Sequence, residues 1–361
     1  MKISIVNTQQ HIDHDHHEQV LECVDTASGL HAFIAVHNTH LGPALGGCRM
    51  WPYSSREAAM TDVLRLSRGM TYKSAISRLP LGGGKAVIIG DPRSDKSTAL
   101  LESMGRFVES LDGRYITAED AGTSVADLTV MQRFSGHIAG VQRSSATIGG
   151  EDNGDPSPST AYGVYIGICT SLKQVFGSAS PAGRHVAIQG VGNVGRRLAK
   201  LLTDAGARVT VADIHESAIE STQAVAPVEV APLDDIHQLP ADVFAPCALG
   251  GFLTPEAIGE TSAPVIAGAA NNQLASELAG EVLMKSGKFY APDYVLNAGG
   301  IIDIYHQRAG SDEVTLRRHI EAIGGTLTDI YQESLSTGLP TGVIADRIAE
   351  RRFADGELAV A

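Results

Sequence analysis

Cysteine is scarce: Cys23, Cys48, Cys169 and Cys247 are the only four in 361 residues, with no Cys-x-x-Cys and no metal-ligand spacing. That excludes a disulfide scaffold and leaves reduced, buried thiols as the expectation. Positive charge is also short, 28 Lys and Arg against 41 Asp and Glu, for a formal net charge of -13. Nucleic-acid binding needs clustered basic residues to neutralise phosphates, so that class drops out. A small anionic substrate stays possible, because a local lysine pair can hold one inside an acidic protein. No run of about 18 apolar residues is present to span a membrane. The N-terminus lacks a charged-then-apolar signal pattern, so the chain is expected to be cytosolic with no membrane partner. There is no Gly-x-Ser-x-Gly elbow for a serine nucleophile, no internal repeat and no low-complexity tract.

Hydrophobic residues at 43% and charged residues at 19% describe a globular protein, and the length implies roughly two domains. In the first, His31–His37, Ala86–Gly90 and Tyr115–Ala118 read as strands. Ser54-Ser-Arg-Glu57 is a capping-box pattern opening a helix with Ala58, Ala59, Val63, Leu66 and Met70 at helical spacing. A second helix is expected over Ser97–Leu111, stopped by Gly113. The stretch Ile148–Pro158 is rich in Gly, Pro, Asp and Ser and places a domain boundary there, followed by a helix from about Thr160 to Phe176. Downstream, His185–Gln189, Arg196–Ala205, Arg208–Asp213, Asp242–Ala245, Pro264–Ala267 and Tyr294–Leu296 alternate strand and helix patterns. That alternation implies a doubly wound parallel sheet. A long helical pattern over Val314–Leu335 precedes a short C-terminal helix. The expected architecture is α/β: residues 1–147 as a substrate and oligomerisation domain, 148–331 as a Rossmann-type domain across a cleft. Residues 332–361 would be a helical segment packing back on the first domain.

Two features carry chemistry. Val186-Ala-Ile-Gln189 leads directly into Gly190-Val-Gly192-Asn193-Val194-Gly195, with an amphipathic helix leading away. Such glycines allow a tight turn, close backbone approach to a pyrophosphate and close helix–strand packing. Asp213 follows 23 residues after Gly190, where a carboxylate meets ribose hydroxyls and repels a 2′-phosphate, so NAD is expected over NADP. The second feature is the pair Lys73 and Lys85, the latter closing Pro80-Leu-Gly-Gly-Gly-Lys85. It is no phosphate loop, since Leu79 stands where the first glycine belongs and Ala86 replaces the hydroxyl. Near each other and near apolar segments, one lysine can serve as a base while the other holds a carboxylate. Two solvated surface lysines are the alternative.

Asp120, or Glu119 beside it, ends a strand and could orient a substrate amine and relay its proton; a solvated acid is the plainer reading. His11, His14, His16 and His17 cluster near the N-terminus among acids, and incidental weak metal affinity is expected there rather than a functional metal site.

At this point the chain resembles the Glu/Leu/Phe/Val amino acid dehydrogenases, and among them the members acting on leucine. The similar segments cover nearly the whole chain: Gly42–Trp51, Arg68–Lys73, Pro80–Lys85, Glu119–Thr123, Asp155–Gly163, Gly268–Gln273 and Asn297–Gly300. The resemblance implies that Lys73 binds the substrate carboxylate, helped by the backbone of Gly46 and Gly47. It further implies that Lys85 is the general base and that Asp120 shuttles a proton at the amine. By the same carry-over, Thr160 and Asn271 lie at the nicotinamide end of NAD. The implied reaction is reversible oxidative deamination of a hydrophobic L-amino acid (leucine, valine or isoleucine) to the 2-oxo acid plus ammonia. The assembly it implies is a homo-oligomer.

The implied side-chain pocket is Leu45, Met70, Ala118, Ile301 and Ile304, the last two at i and i+3 of one expected helix. Leu45 stands where glutamate members carry a lysine, which argues against glutamate, because an unpaired buried carboxylate is costly. Ala118 stands where phenylalanine members tend to carry glycine, which narrows the pocket toward Leu, Ile or Val. Two departures stand out. Asp303 occupies a position where relatives often show an amide, and is expected either to be solvated or to draw the substrate range toward polar or basic side chains. The linker at Glu151-Asp152-Asn153 is more acidic than the family pattern. An aromatic amino acid dehydrogenase is the alternative reading, and a catalytically silent NAD-binding sensor the alternative from another class.

Overall fold

The computed structural model describes residues 1–141, 148, 155–248 and 250–355. The linker residues 149–154, with the acidic Glu151-Asp152-Asn153, lie outside them. The chain begins with β1 (Lys2–Ile5), β2 (Gln19–Asp25), β3 (Leu30–Asn38), β4 (Ala44–Trp51), α1 (Arg56–Ile76) and β5 (Gly82–Ile89). There follow α2 (Thr98–Glu109), β6 (Tyr115–Glu119) and α3 (Val125–Gln132). The strands form one sheet in the order β1-β2-β3-β5-β4-β6. It is antiparallel from β1 to β5 and parallel across β5, β4 and β6.

Helix α1 starts where a hydroxyl can accept a backbone N–H. The cap is Ser55, which accepts from Ala58, one residue later than the expected Ser54. Its buried face (Ala59, Met60, Val63, Leu64) lies on β3 and β5. Strand β5 begins four residues earlier than expected, so the glycines before Lys85 are strand rather than loop. The reason is close packing: a Cβ at Gly83 would stand 2.0 Å from the Thr71 backbone nitrogen. Without side chains there, the last turns of α1 can lie directly on β5.

The second half runs α4 (Ser157–Phe176), β7 (His185–Gln189), α5 (Asn193–Asp204), β8 (Arg208–Ala212), α6 (Glu216–Gln223) and β9 (Glu229–Val230). After a 3-10 turn at Ile236–Gln238 come β10 (Val243–Pro246), α7 (Pro255–Glu260), β11 (Val265–Ile266), α8 (Glu277–Lys285) and β12 (Phe289–Tyr290). All pairs are parallel, in the order β12-β11-β10-β7-β8-β9. Counted from β7 as the first strand, that is the doubly wound 3-2-1-4-5-6 order. The expected strand at Tyr294–Leu296 is instead a short helix, α9 (Asp293–Leu296). Asp293 explains it: its carboxylate accepts the backbone N–H groups of Gln273 and Tyr294, tying the chain into a turn after Pro292.

Three helices close the chain: α10 (Gly299–Ala309), α11 (Glu313–Thr337) and α12 (Thr341–Asp355). Helix α11 packs on α4, while α12 turns back at Gly338 and lies against α1. One apolar cluster spans both halves, joining Leu45, Ala75 and Ile116 to Val164, Ile188 and Leu296. No helix among the described residues is long and apolar enough to cross a membrane. All four thiols are free, with Cys23 and Cys48 buried and Cys169 and Cys247 only partly so.

Candidate active site

Strand alternation builds the floor of the site. On β4, Leu45, Gly47 and Arg49 share one face. Register pairs Leu45 with Gly83 on β5 and Gly47 with Ala118 on β6. Lys85 and Asp120, two residues beyond Gly83 and Ala118, rise from the same face and meet. Lys85 Nζ, on a residue only 6% exposed, donates to Asp120 Oδ2 at 2.8 Å. Arg49 Nε donates to the same oxygen at 3.0 Å, and Arg49 Nη1 donates to Asp62 Oδ2 at 3.0 Å. The Tyr53 hydroxyl donates to Asp62 as well. Burial pushes the Asp120 carboxyl up, but the charges of Lys85 and Arg49 outweigh it and hold the group down at about 2. Glu119 pairs with Cys48 on the opposite pleat and is exposed, so Asp120 is the acid at the lysine.

The glycines here are needed for close approach. A Cβ at Gly47 would stand 2.6 Å from Asp120 Cβ, and one at Gly46 would stand 1.8 Å from the Gly84 carbonyl oxygen. The buried Tyr115 hydroxyl donates to the Gly46 carbonyl at 2.7 Å and fixes that stretch from below.

Lys73 comes from the last turn of α1. Burial brings its amine down to about 8, partly opposed by the Asp293 carboxylate and reinforced by the like charge of Lys85. Asp293 belongs to the second half of the chain, so the lysine helix looks across the cleft toward the start of α9. Around these polar groups, Leu45, Ala118 and Ile301 are buried in one apolar cluster, with Met70 and Ile304 packed against it. Ile301 and Ile304 both lie on α10, so the apolar wall joins the two halves.

At the second sheet, β7 runs into Gly190, whose φ of +94° needs glycine. A Cβ at Gly195 would stand 2.0 Å from the Gly190 carbonyl oxygen, whereas one at Gly192 would meet nothing within 4 Å. Helix α5 starts at Asn193 without a side-chain cap, so the first backbone N–H groups, including that of Val194, are available to an anion. Asp213 follows β8; its Oδ2 accepts from Val191 N and its Oδ1 from His215 N, each at 2.8 Å. A carboxylate offers about four acceptor positions, so capacity remains for a ribose hydroxyl. These residues fit the pyrophosphate and ribose of a dinucleotide.

Further along the cleft, Asn297 Nδ2 donates to Asn271 Oδ1 at 2.7 Å. Asn297 Oδ1 is buried without a partner among the described residues, an acceptor that a bound amide could use. Thr160 donates to the Pro156 carbonyl at 3.0 Å and abuts Gly300, where a Cβ would stand 2.8 Å from its hydroxyl oxygen.

Asp303 is buried rather than solvated. It is 2% exposed; Ser159 Oγ donates to its Oδ2 at 2.5 Å and Gln307 Nε2 to its Oδ1 at 2.9 Å. Both oxygens accept hydrogen bonds in the buried space between α4 and α10. The N-terminal histidines pack locally: His11 meets Glu57 at 3.1 Å, His14 meets the Thr8 hydroxyl at 3.0 Å and His17 meets Ser67 at 3.0 Å. Among the described residues no group of three or more His, Cys, Asp or Glu is arranged to hold a metal.

Sequence reasoning missed Arg49, Asp62, Asp293 and Asn297. Arg49 was within reach, since alternation along β4 sets it on the face of Gly47. Asp293 and Asn297 depend on a turn and a cleft that no local pattern reveals.

Residues 17–135 match the family described as Glu/Leu/Phe/Val dehydrogenase, dimerisation domain. Residues 149–223 and 211–335 match Glutamate/Leucine/Phenylalanine/Valine dehydrogenase. The leucine dehydrogenase of Geobacillus stearothermophilus is 46% identical, over 93% of this chain and 90% of its own. The valine dehydrogenase of Streptomyces virginiae is 44% identical, over 97% of this chain and 98% of its own. Among solved structures, L-tryptophan dehydrogenase from Nostoc punctiforme superposes with a TM-score of 0.81 at 39% identity, covering 94% of this chain and 96% of that one.

Proposed function

The chain belongs to the Glu/Leu/Phe/Val dehydrogenase family, and from that premise we propose that it is an NAD-dependent dehydrogenase of branched-chain L-amino acids. The observation that carries the reading is the Lys85–Asp120–Arg49 cluster, whose Lys85 and Asp120 charges act on Lys73, beside the buried apolar residues Leu45, Ala118 and Ile301.

Lys73, with its charged amine, holds the substrate carboxylate beside the Gly46-Gly47 backbone. Leu45, Met70, Ala118, Ile301 and Ile304 enclose an aliphatic side chain, and none of them offers a partner to a carboxylate there. Asp120, ionised and pinned by Arg49, faces the substrate amine. Lys85, acting as a base in its neutral form, would take a proton from the water that attacks the imine carbon. Asp120 relays the proton that lets ammonia leave, and the 2-oxo acid remains.

Gly190, Gly192, Asn193, Val194 and Gly195 would hold the pyrophosphate of NAD, Asp213 its ribose, and Thr160 and Asn271 the nicotinamide end. NAD, when bound, accepts the hydride from the substrate Cα. Asp213 favours NAD because a 2′-phosphate beside a carboxylate is repelled. Closing the cleft excludes water from the hydride path.

A homo-oligomer fits β1, an edge strand, and the exposed apolar side chains of Ile5 (77%) and Trp51 (53%). Four unpaired thiols fit the cytoplasm.

The test is NADH formation with L-leucine, valine, isoleucine, phenylalanine, tryptophan and glutamate, wild type beside Lys85→Ala. Turnover of the branched chains that disappears in the variant supports the reading. A clear preference for phenylalanine or tryptophan would favour the aromatic alternative, which the likeness to the tryptophan enzyme keeps in view. Dinucleotide binding without turnover of any amino acid would leave a silent sensor, a role that has no use for a buried lysine–aspartate pair.

A further inference from the structure

The last carbonyls of an α-helix have no partner within the helix. In α1 these belong to the turn that carries Lys73: the N–H groups of Ser77, Leu79 and Arg78 reach the carbonyls of Lys73, Ser74 and Ala75, and the end of the chain adds further donors. Arg352 on α12 donates Nη1 to the Ala75 carbonyl at 3.3 Å and also to the Ile76 carbonyl. His319 Nε2 on α11 stands 2.7 Å from the Ser77 carbonyl. A carbonyl only accepts, so His319 carries its proton on Nε2 and accepts on Nδ1. There it meets His306 Nε2 at 2.9 Å, and His306 Nδ1 meets the Ser311 hydroxyl at 2.8 Å. The tautomers are therefore set in series: Ser311 donates to His306, His306 to His319, and His319 to Ser77.

Ser77 closes the path to the lysine. Its hydroxyl donates to the Lys73 carbonyl at 2.7 Å and its N–H to the same oxygen at 3.2 Å. On the flank of the same turns, the Tyr72 hydroxyl donates to Glu350 at 2.8 Å and its ring meets Phe353 edge-on at 5.5 Å. The two grips come from the last two helices, with α11 lying on α4 and α12 touching α8.

We propose that Arg352 and His319 are positioning residues for Lys73, capping the last turn of α1 so that the C-terminal helices set where the lysine stands. This rests on the reading of Lys73 as the carboxylate anchor. Positive charge at a helix C-terminus also favours its negative dipole end, so the Arg352 grip stabilises the turn that it orients. Neither residue touches substrate or cofactor, and both act through the backbone of α1.

The experiment compares wild type with Arg352→Met, Arg352→Lys and His319→Phe, each checked for folding by thermal melting. Arg352→Met removes the donor and keeps an unbranched stem; His319→Phe keeps a ring and serves should Arg352→Met fail to fold. The expected result is a KM for L-leucine raised about tenfold, the loss of a buried charged hydrogen bond. The kcat and the KM for NAD stay within about twofold, because positioning of the carboxylate is what changes. Arg352→Lys restores part of the loss.

A second readout needs no turnover: the rate at which trinitrobenzenesulfonate labels Lys73, followed by peptide mass. It should change several-fold in Arg352→Met while the labelling of Lys96 and Lys200 does not. If wild type turns over no amino acid, the proposed function fails and this labelling alone decides the present proposal. An unchanged KM with unchanged Lys73 labelling overturns it, as does a fall in kcat alone, which is what a loss of folded enzyme would give.

Discussion

Lys73 and Lys85 are the same side chain in different company. Lys85 is paired with a carboxylate, while Lys73 is half-buried, and desolvation, opposed mainly by the charge of Asp293, brings its amine down to about 8. The charged form prevails below that pH and is lost above it. A lysine that binds a carboxylate through its charge should therefore weaken as pH rises through about 8. KM for L-leucine should climb toward tenfold per pH unit above that point, as one proton's loss requires. Initial rates across pH check this, with Lys73→Met flattening the climb.

Arg49 makes a second prediction at this scale. Arg49→Met leaves Asp120 with Lys85 alone, so kcat should fall by about tenfold or more, as loss of a charge that orders a proton-transfer group does. Of the residues in this network, Lys73, Lys85 and Asp120 were legible in the sequence because they sit in spaced motifs. The solvated alternative for Asp303 fails, since a sequence does not show that Ser159 and Gln307 meet its carboxylate in the interior.

Elements meet closely where glycine allows it. Gly83 lets α1 lie on β5, and its replacement by alanine would press a methyl into the Thr71 backbone. Gly83→Ala should lower stability by about 1–3 kcal/mol, the usual range for overpacking, and chemical denaturation measures it. Ala118→Gly acts in the other direction, opening the pocket on β6. It should raise the phenylalanine-to-leucine ratio in kcat/KM by about tenfold, consistent with one methyl's worth of about 1–3 kcal/mol.

Regular elements such as β3, β7, α2 and α11 were legible because their apolar periods are unbroken and their ends are marked by Ser, Asp or Gly. The glycines of β5 were not, because glycine signals a loop in sequence and close contact in this sheet. Nor was α9, whose turn is made by Asp293 accepting from residues 20 positions away and next in line.

At the scale of the molecule, the two halves meet along an apolar wall built by β4, β6 and α1 from one side and by α10 from the other. The doubly wound parallel sheet was legible from alternation, though its strand order was not, and the contacts by which α12 returns to α1 join residues more than 270 positions apart, such as Tyr72 with Glu350. An assembly larger than one 37.9 kDa chain is expected by light scattering of the purified protein. The account as a whole is tested most directly in the reverse direction, by following NADH consumption with 4-methyl-2-oxopentanoate and ammonia for wild type and Lys85→Ala. Consumption should require both ammonia and the oxo acid and fall by about a hundredfold or more in the variant. Consumption without ammonia, or undiminished in Lys85→Ala, would contradict it.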